Sequence, residues 1–328
     1  MRSILLAFFS ILLLANPAFT QNYFLSHPQI SPDGNTLYFT YDSDIWKYNI
    51  RHKQSSRLTN LRGNISALSL SPDGNKLAFS SNKYGQNDVY VLDLQKGQTK
   101  QLTYHDASNE VSGWSWDNTT IYFTSNRYNM SRSYAISAQG GTAKALFKNY
   151  FNITNQLIEH PNGGYIFTTG MESTSQLSRK RYKGPNNPEI YYLNNNALEN
   201  LSQYEGKDLY PSVDKNGIIY YQSDEENGFN NLMVYKNGKK ETLTNFEEDI
   251  AMPQVNTEGT KVVFTKNYQL YLFDIESGQI ENIQPLLNNF ESLQKLQTFN
   301  TSTDISYFDV SPDASKLAFI SRGQLFVS

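Results

Sequence analysis

The chain of 328 residues carries a formal net charge of −3 at pH 7, and 14% of its residues are aromatic, including 23 Tyr and 19 Phe. This charge balance argues against a basic surface for DNA or RNA, and the absence of cysteine excludes disulfides as a source of stability. The many aromatic residues and the few helix-favouring stretches predict an all-β chain.

The first twenty residues differ in composition from the rest of the chain. Arg2 precedes an apolar run over residues 4–15, and Ala18 and Thr20 provide small residues suited to cleavage. We predict a signal peptide over residues 1–20, with an uncleaved anchor as the alternative, although the run is short for a bilayer span. In either case the mature chain is expected outside the cytoplasm, periplasmic or extracellular. Any membrane contact is expected only through this segment if it stays uncleaved.

A turn followed by a strand recurs along the mature chain. Residues 71–79 read Ser-Pro-Asp-Gly-Asn-Lys-Leu-Ala-Phe, and residues 31–39 and 311–319 are nearly the same. In such a turn Pro presets φ at about −65°, Asp bonds its own backbone and Gly accepts positive φ. The alternation that follows, with Leu77 and Phe79 on one side, predicts a strand with one face in a core.

These turns are separated by roughly 40 to 55 residues, the period of a four-stranded propeller blade. Residues 21–283 are therefore predicted to form a six-bladed β-propeller of antiparallel blades, in which the fourth repeat begins near Ile153. The turn residues are Gly34, Gly74, Gly163, Gly217 and Gly259, with Asn118 in the place of one glycine.

The end of the chain breaks this rhythm. Residues 284–303 lack a turn of the expected kind and are predicted to be a linker, whereas residues 304–328 are predicted to be the first strands of a second, incomplete β-propeller. Because a domain that ends inside a blade leaves strand edges unpaired, we expect the chain to be the front part of a longer polypeptide.

The sequence leaves the closure of the ring open. Many propellers pair an N-terminal strand with the last blade, and residues 22–25 are suited to that role. The alternative is that the sixth blade supplies all its own strands, the last of them through residues 279–283.

No catalytic constellation stands out. The chain has no Gly-x-Ser-x-Gly elbow, no His-Glu-x-x-His motif and no cysteine, and its four histidines lack ligand-like spacing. We therefore predict no catalytic residue, no metal and no cofactor. Asp42 and Asp44, and the acidic residues 224–226, have the composition of calcium loops. Both groups lie between second and third strands, however, where Asp forms turns without any ion.

The strongest local charge lies in an insertion of the fourth repeat, where residues 178–185 read Ser-Arg-Lys-Arg-Tyr-Lys-Gly-Pro. One interpretation is that Arg179, Lys180 and Arg181 line one mouth of the propeller and bind the carboxylate of a peptide, since Arg offers two parallel donors. The alternative is a solvated loop, or a docking surface for another domain.

Several of these segments resemble tricorn-type serine proteases. The opening at residues 27–34, the basic segment at residues 179–184 and the stretch at residues 308–323 follow the order of that family, whereas TolB-like and dipeptidyl-peptidase propellers share only the turns. The resemblance implies a large secreted or periplasmic serine peptidase with six-bladed and seven-bladed propellers, a PDZ-like domain and C-terminal catalytic domains. The family's nucleophilic Ser and its His lie in those C-terminal domains, and no residue of this chain matches them.

The sequence leaves two functions open, and each belongs to a different class of protein. The first is the N-terminal propeller region of such a peptidase, a non-catalytic gate or docking platform. Its partners would be oligopeptide substrates and the downstream domains of the same polypeptide, and homo-oligomerisation stays open. The second is a stand-alone TolB-like periplasmic binding propeller. A dipeptidyl-peptidase-type enzyme would additionally require an α/β-hydrolase domain downstream.

Overall fold

The computed structural model describes residues 24–61, 63–128, 130–147, 153–174, 179–287, 305–321 and 324–327. The predicted signal peptide and most of the predicted linker lie outside these residues. The chain divides into two compact units, Met1–Leu287 (unit 1) and Asn288–Ser328 (unit 2). Within the described residues, no helix is long and apolar enough to cross a membrane.

Unit 1 contains six antiparallel sheets, here called blades 1 to 6, and each is made of four consecutive strands. The strands of blades 1 to 3 are β1 (Ser26–Ile30), β2 (Thr36–Tyr41), β3 (Asp44–Asn49), β4 (Gln54–Arg57), β5 (Ile65–Leu70), β6 (Lys76–Ser81), β7 (Asp88–Asp93), β8 (Gln98–Gln101), β9 (Asn109–Trp114), β10 (Thr120–Tyr128), β11 (Met130–Ser137) and β12 (Lys144–Ala145). Those of blades 4 to 6 are β13 (Asn155–Glu159), β14 (Tyr165–Thr169), β15 (Glu189–Asn194), β16 (Ala197–Asn200), β17 (Asp208–Val213), β18 (Ile219–Ser223), β19 (Asn231–Lys236), β20 (Lys239–Thr242), β21 (Ile250–Val255), β22 (Lys261–Lys266), β23 (Gln269–Asp274) and β24 (Ile280–Ile283).

The first strand of each blade lies at the centre of a closed ring. Strands β1, β5, β9, β13, β17 and β21 contact one another in that order, and β21 contacts β1. The predicted all-β, six-bladed propeller is therefore confirmed, and its first strands surround a central channel.

The second strands of the blades form the core. Leu77, Ala78 and Phe79 of β6 are all fully buried, so the prediction that only one face of this strand lies in a core was wrong. Both faces are covered because neighbouring blades pack face to face. An aromatic residue occupies the same place in every second strand, namely Phe39, Phe79, Phe123, Phe167, Tyr221 and Phe264.

The recurrent turns have the geometry that their residues predict. Ser71 Oγ donates to Asp73 Oδ1 at 2.6 Å and accepts from the backbone N–H of Lys76 at 3.0 Å. Gly74 has a φ of 73°, and Asn118, which replaces glycine in blade 3, has a φ of 62°. Asn tolerates this left-handed conformation better than other non-glycine residues, which explains the substitution.

The ring closes without strand exchange in the described residues, because blade 6 supplies all four of its own strands. The segment before β1 instead packs against blade 6. The N–H of Leu25 donates to the carbonyl of Tyr268 at 2.9 Å, and the Leu25 side chain is buried against Val263 and Leu272. The ring of Phe24 lies 5.2 Å from that of Tyr268.

Blade 4 begins at Asn155, two residues later than predicted. Ile153 is buried, and Thr154 Oγ1 accepts from the N–H of Ser133 at 2.8 Å, so both residues close blade 3. Thr103 closes blade 2 in the same way. The predicted boundary was displaced because the chain between β12 and Ile153 is longer than the equivalent segments of blades 1 and 2. Ile153 and Thr154, which close blade 3, were therefore assigned to blade 4.

Unit 2 contains a three-stranded antiparallel sheet in which every residue of the first strand is exposed. Phe319 and Phe326 stack at 5.3 Å, as aromatic residues of second and third strands do in unit 1. Its turn has Ala314 at a φ of 56°, where glycine is usual. The strands are β25 (Ile305–Val310), β26 (Leu317–Ser321) and β27 (Gln324–Val327).

Candidate functional site

A β-bulge in each first strand directs side chains into the central channel. The residues that the ladders skip include His27, Ser66, Ser112, Gln156, Tyr210 and Met252. In four of the six blades the bulged residue has a φ between 49° and 55°. Because a bulge re-aims the side chain, all six residues line one cavity of about 360 Å³, here called the central cavity.

Hydrogen bonds join the turns at one end of the channel into a closed ring. Each bond links the turns of two blades, or a turn and the end of a first strand, in the order 6 to 2, 2 to 3, 3 to 4, 4 to 5 and 5 to 6. The bonds are Thr257 Oγ1 to the Pro72 carbonyl at 3.1 Å, Asp73 N–H to Asn118 Oδ1 at 3.0 Å, Trp116 N–H to Glu159 Oε2 at 2.8 Å, His160 Nε2 to the Gly217 carbonyl at 3.4 Å, and Lys215 N–H to the Thr257 carbonyl at 3.0 Å.

The first of these bonds skips blade 1 and draws blades 6 and 2 together. The turn of blade 1 is held beside it, where Pro32 accepts from Asn256 Nδ2 at 2.9 Å and packs so closely on Gly74 that a Cβ there would lie 2.8 Å from its ring. The cavity at this end is only about 90 Å³. The channel is therefore a chamber that narrows at the turns, and its opposite face is here called the insertion face.

Two of the titratable side chains that line the central cavity are His27 and Glu110. His27 Nδ1 lies 3.0 Å from Thr40 Oγ1, and burial lowers the pKa of the ring to about 4, so it is neutral at pH 7. Glu110 accepts hydrogen bonds from Ser66 Oγ at 2.6 Å and from Asn87 Nδ2 at 2.5 Å. Burial nevertheless raises the pKa of Glu110, because these bonds offset the loss of water only in part.

The buried ring of His27 makes stability depend on pH. Between pH 6.5 and 4 the unfolded chain binds a proton at His27 and the native chain does not, so the free energy of unfolding falls by up to about 3 kcal/mol as pH falls through this window. The variant His27→Gln, with the residue that blade 4 carries at its bulge, should lack this fall. Urea denaturation of both proteins from pH 7.5 to 4 measures the difference. Burial raises the pKa of Asp208 to about 7, but this residue titrates in both proteins, so its effect on stability cancels in the comparison. Parallel stability curves would contradict the prediction.

The insertion joins β14 to β15 and reaches the mouth of the chamber. It starts at Gly170, with a φ of 102°, where any Cβ would overlap the carbonyl of Asn187. A short 3₁₀ helix follows, η1 (Met171–Ser173). Ser173 and Thr174 line the central cavity, so the insertion covers part of its open end.

A buried ion cluster fixes the insertion to blade 5. Glu172 is 4% exposed, and its carboxylate lies 3.1 Å from Nζ of Lys207, which is 2% exposed. Arg179 Nη1 donates to the same carboxylate at 2.8 Å, and its guanidinium stacks on Tyr182 at 3.9 Å. Arg179, predicted to bind peptide, is therefore also part of the anchor.

The other two predicted residues differ in their surroundings. Lys180 Nζ pairs with Asp249 at 2.7 Å and lies 5.1 Å from the ring of Phe229. Arg181 is exposed, with a φ of 61°, and makes no ion pair or hydrogen bond with the described residues. Arg179 and Lys180 line a second cavity of about 370 Å³, here called the insertion cavity, and Arg181 does not.

The charges of the insertion cavity are nearly balanced. Its basic residues Arg179, Lys180 and Lys207 face Asp224 and Asp249. A peptide carboxylate that approached Arg179 or Lys180 would compete with a protein carboxylate already bound there. Arg181, at the same face, has no such competitor among the described residues.

The two acidic groups considered for calcium have structural roles. Asp44 Oδ1 accepts from Thr59 Oγ1 at 2.7 Å and from the N–H of Leu61 at 2.9 Å, while its other oxygen pairs with Arg57. Asp224 Oδ1 accepts from the N–H of Lys207 at 2.8 Å. In the part of the chain that the structure describes, no group of His, Asp and Glu has the geometry of a metal site.

The sequence did not predict the ion cluster or the bulges. Glu172 and Lys207 belong to different blades and form no local pattern. For the bulges one signal exists, because Pro follows His27, Tyr210 and Met252 directly. The same position in the other three blades carries no such mark.

A family model described as the tricorn protease N-terminal beta propeller domain matches residues 22–279, well over half of the chain. The chain belongs to the tricorn N-terminal propeller family. Among solved structures, the tricorn protease matches this tricorn propeller with a TM-score of 0.69 and 20% identity, over 93% of this chain and 30% of that chain. The present chain thus spans about a third of the length of that structure.

TolB structures also match the tricorn propeller. TolB from Acinetobacter baumannii has a TM-score of 0.59 and 17% identity over 79% of this chain and 63% of that one. For a putative TolB from Agrobacterium tumefaciens the TM-score is 0.60 and the identity 19%, over 73% and 87% of the two chains. At such identities the likeness concerns the fold alone. No curated protein matches the sequence.

Proposed function

We propose that this chain is the N-terminal propeller region of a secreted or periplasmic tricorn-like serine peptidase, in which it is a non-catalytic docking platform for oligopeptides. The observation that carries the proposal is the family match over residues 22–279. Proteolysis is then the task of C-terminal domains outside this sequence, since no residue here matches the family's nucleophile.

The closed ring of turns favours a platform over a gate. A gate must pass a peptide through the channel, and the bond between Thr257 and Pro72 bridges blades 6 and 2 at the turn end. A platform needs only a site that a peptide reaches from one side. The insertion face offers that site, with two adjoining cavities that share Tyr210.

The proposal also covers location and domain organisation. Residues 1–20 act as the signal peptide, residues 284–303 as a linker, and residues 304–328 as the first strands of a second propeller. The partners are oligopeptides and the downstream domains of the same polypeptide.

Arg181 is expected to bind the C-terminal carboxylate of a peptide. The variant Arg181→Gln should bind an oligopeptide with a free carboxylate about fivefold more weakly and its C-terminal amide unchanged, because an exposed charge pair contributes modestly. Arg51→Gln, which removes an exposed arginine at the opposite face, should change neither affinity. Isothermal titration calorimetry of both variants with both peptides measures this. Equal affinity of the acid and the amide for the parent chain would contradict the role.

Turnover tests the non-catalytic part of the proposal. The chain should hydrolyse no oligopeptide, whereas the product of the complete coding region should, and activity in the chain alone would refute it. The second candidate is a stand-alone TolB-like binding propeller, which the TolB matches favour. Reading the coding sequence beyond Ser328 separates the two, because a stop soon after one further strand supports the TolB-like protein.

A further inference from the structure

Each of the two cavities of the channel has one carboxyl side chain in its lining. Glu110 lines the central cavity and Glu159 the cavity at the turn end. No Lys or Arg of the described residues lines either cavity. His27 adds no charge at pH 7, since burial keeps its ring neutral. A positively charged group is therefore attracted into the chamber and a carboxylate is repelled.

The carboxylate of Glu110 lacks a cationic partner among the described residues. Its hydrogen bonds come from neutral groups, the hydroxyl of Ser66 and the amide of Asn87. A charge removed from water and bonded only to neutral donors gains strongly from a cation that enters the same space. An ammonium group, with three N–H donors, is such a cation.

Two glutamines of the same cavity supply donors. Gln29 Oε1 accepts from the N–H of Leu70 at 3.0 Å, and Gln156 Oε1 accepts from the N–H of Tyr210 at 2.7 Å. Both side chains line the central cavity. Since their oxygens are bound to neighbouring strands, their NH₂ groups are the ends available to a ligand. A peptide N-terminus offers an ammonium together with a carbonyl one residue away, and so matches both kinds of group.

The narrow end of the chamber favours binding of a chain terminus. Because the ring of turns narrows the far end, a peptide is expected to enter from the insertion face by one end. The acidic lining rejects the end that carries a carboxylate. We propose that the central cavity binds the free N-terminal ammonium of a peptide, with Glu110 as the counter-ion and Gln29 and Gln156 as donors to the first carbonyl groups.

This inference rests on the proposed peptide partner but uses a different pair of chemical groups. Tri-alanine and N-acetyl-tri-alanine serve as probes, with the fluorescence of Trp114 and Trp116, which line the turn-end cavity, as the signal. For the parent chain, acetylation should weaken binding about tenfold. Glu110→Gln should bind the two peptides with equal affinity. In a double-mutant cycle, the loss of the acetylation effect in this variant assigns that effect to Glu110. Glu276→Gln, at an exposed turn, should behave like the parent chain.

Three results would overturn the proposal. The first is equal binding of the free and acetylated peptides by the parent chain. The second is an effect of acetylation on affinity in Glu110→Gln as large as that in Glu276→Gln. The third is binding of an acetylated peptide with one lysine as tight as that of the free N-terminus. The first comparison needs no variant and stands even if Glu110→Gln fails to fold. Peptide amides test Arg181 separately. If amidation does not change the affinity but acetylation does, only the role of Arg181 is contradicted.

Discussion

Replacing Lys207 by methionine is expected to lower the free energy of unfolding by about 3 kcal/mol, because the change leaves the buried carboxylate of Glu172 without its buried cationic partner. Both side chains are almost fully buried and lie 3.1 Å apart. Methionine keeps the length and apolar body of lysine, so the loss concerns the charge. Arg179 still reaches Glu172 but is half-exposed, which keeps the expected loss at the lower end for a broken buried pair.

Lys215→Met is the matched control. Lys215 pairs with Glu258 on the surface, where both side chains are about half-exposed, and its loss should cost less than about 1 kcal/mol. The double variant Lys207→Met and Glu172→Gln should recover most of the stability, because neither charge then remains buried. Urea denaturation at pH 7 compares all three proteins. An equal loss in Lys207→Met and Lys215→Met would show that the cluster does not anchor the insertion.

The second large effect is expected at a turn of blade 6. Gly259→Ala should lower the free energy of unfolding by about 3 kcal/mol, since it adds two costs. Gly259 has a φ of 70°, and a Cβ at this residue would overlap the carboxylate of Asp214. Asp214 is 1% exposed and accepts from the backbone N–H groups of Asn216 and Ile218, so any displacement disturbs the turn of blade 5.

Gly278→Ala separates the two costs within the same blade. Gly278 has a φ of 68°, but no atom lies within 4 Å of a Cβ placed there. This variant should therefore lose only about 1 kcal/mol, the price of the left-handed backbone. Thermal or urea unfolding of both variants gives the comparison. If they lose equal stability, the contact between the turns of blades 5 and 6 is not rigid.

The fold was predictable from the sequence because its information is local. The Ser-Pro-Asp-Gly turn predicts a backbone conformation, and the spacing between its copies predicts the number of blades. Even the replacement of glycine by Asn118 follows from the φ that a turn of this type needs. The start of blade 4 was misplaced for a local reason too, since the extra residues before Ile153 separate the closing pair from its strand.

The candidate site was predictable only in part. A run of basic residues marks Arg179, Lys180 and Arg181, but nothing in the run tells which of them is already neutralised by a carboxylate of another blade. Glu172 shares an insertion with Arg179, whereas Asp249 lies on the approach to β21, and only the ring brings it to Lys180. The chamber was not predicted at all, because six single bulged residues become a lining only after six strands converge.

The junction of blades 6 and 1 differs from the other five in kind. Every other pair of neighbouring blades is joined by the polypeptide itself, while this seam is held by packing of Leu25 and by bonds such as that from Asn256 to Pro32. The seam is thus the junction at which neighbouring blades can part without a covalent link that holds them together. Thermal opening of the propeller should start there and widen the chamber from the side.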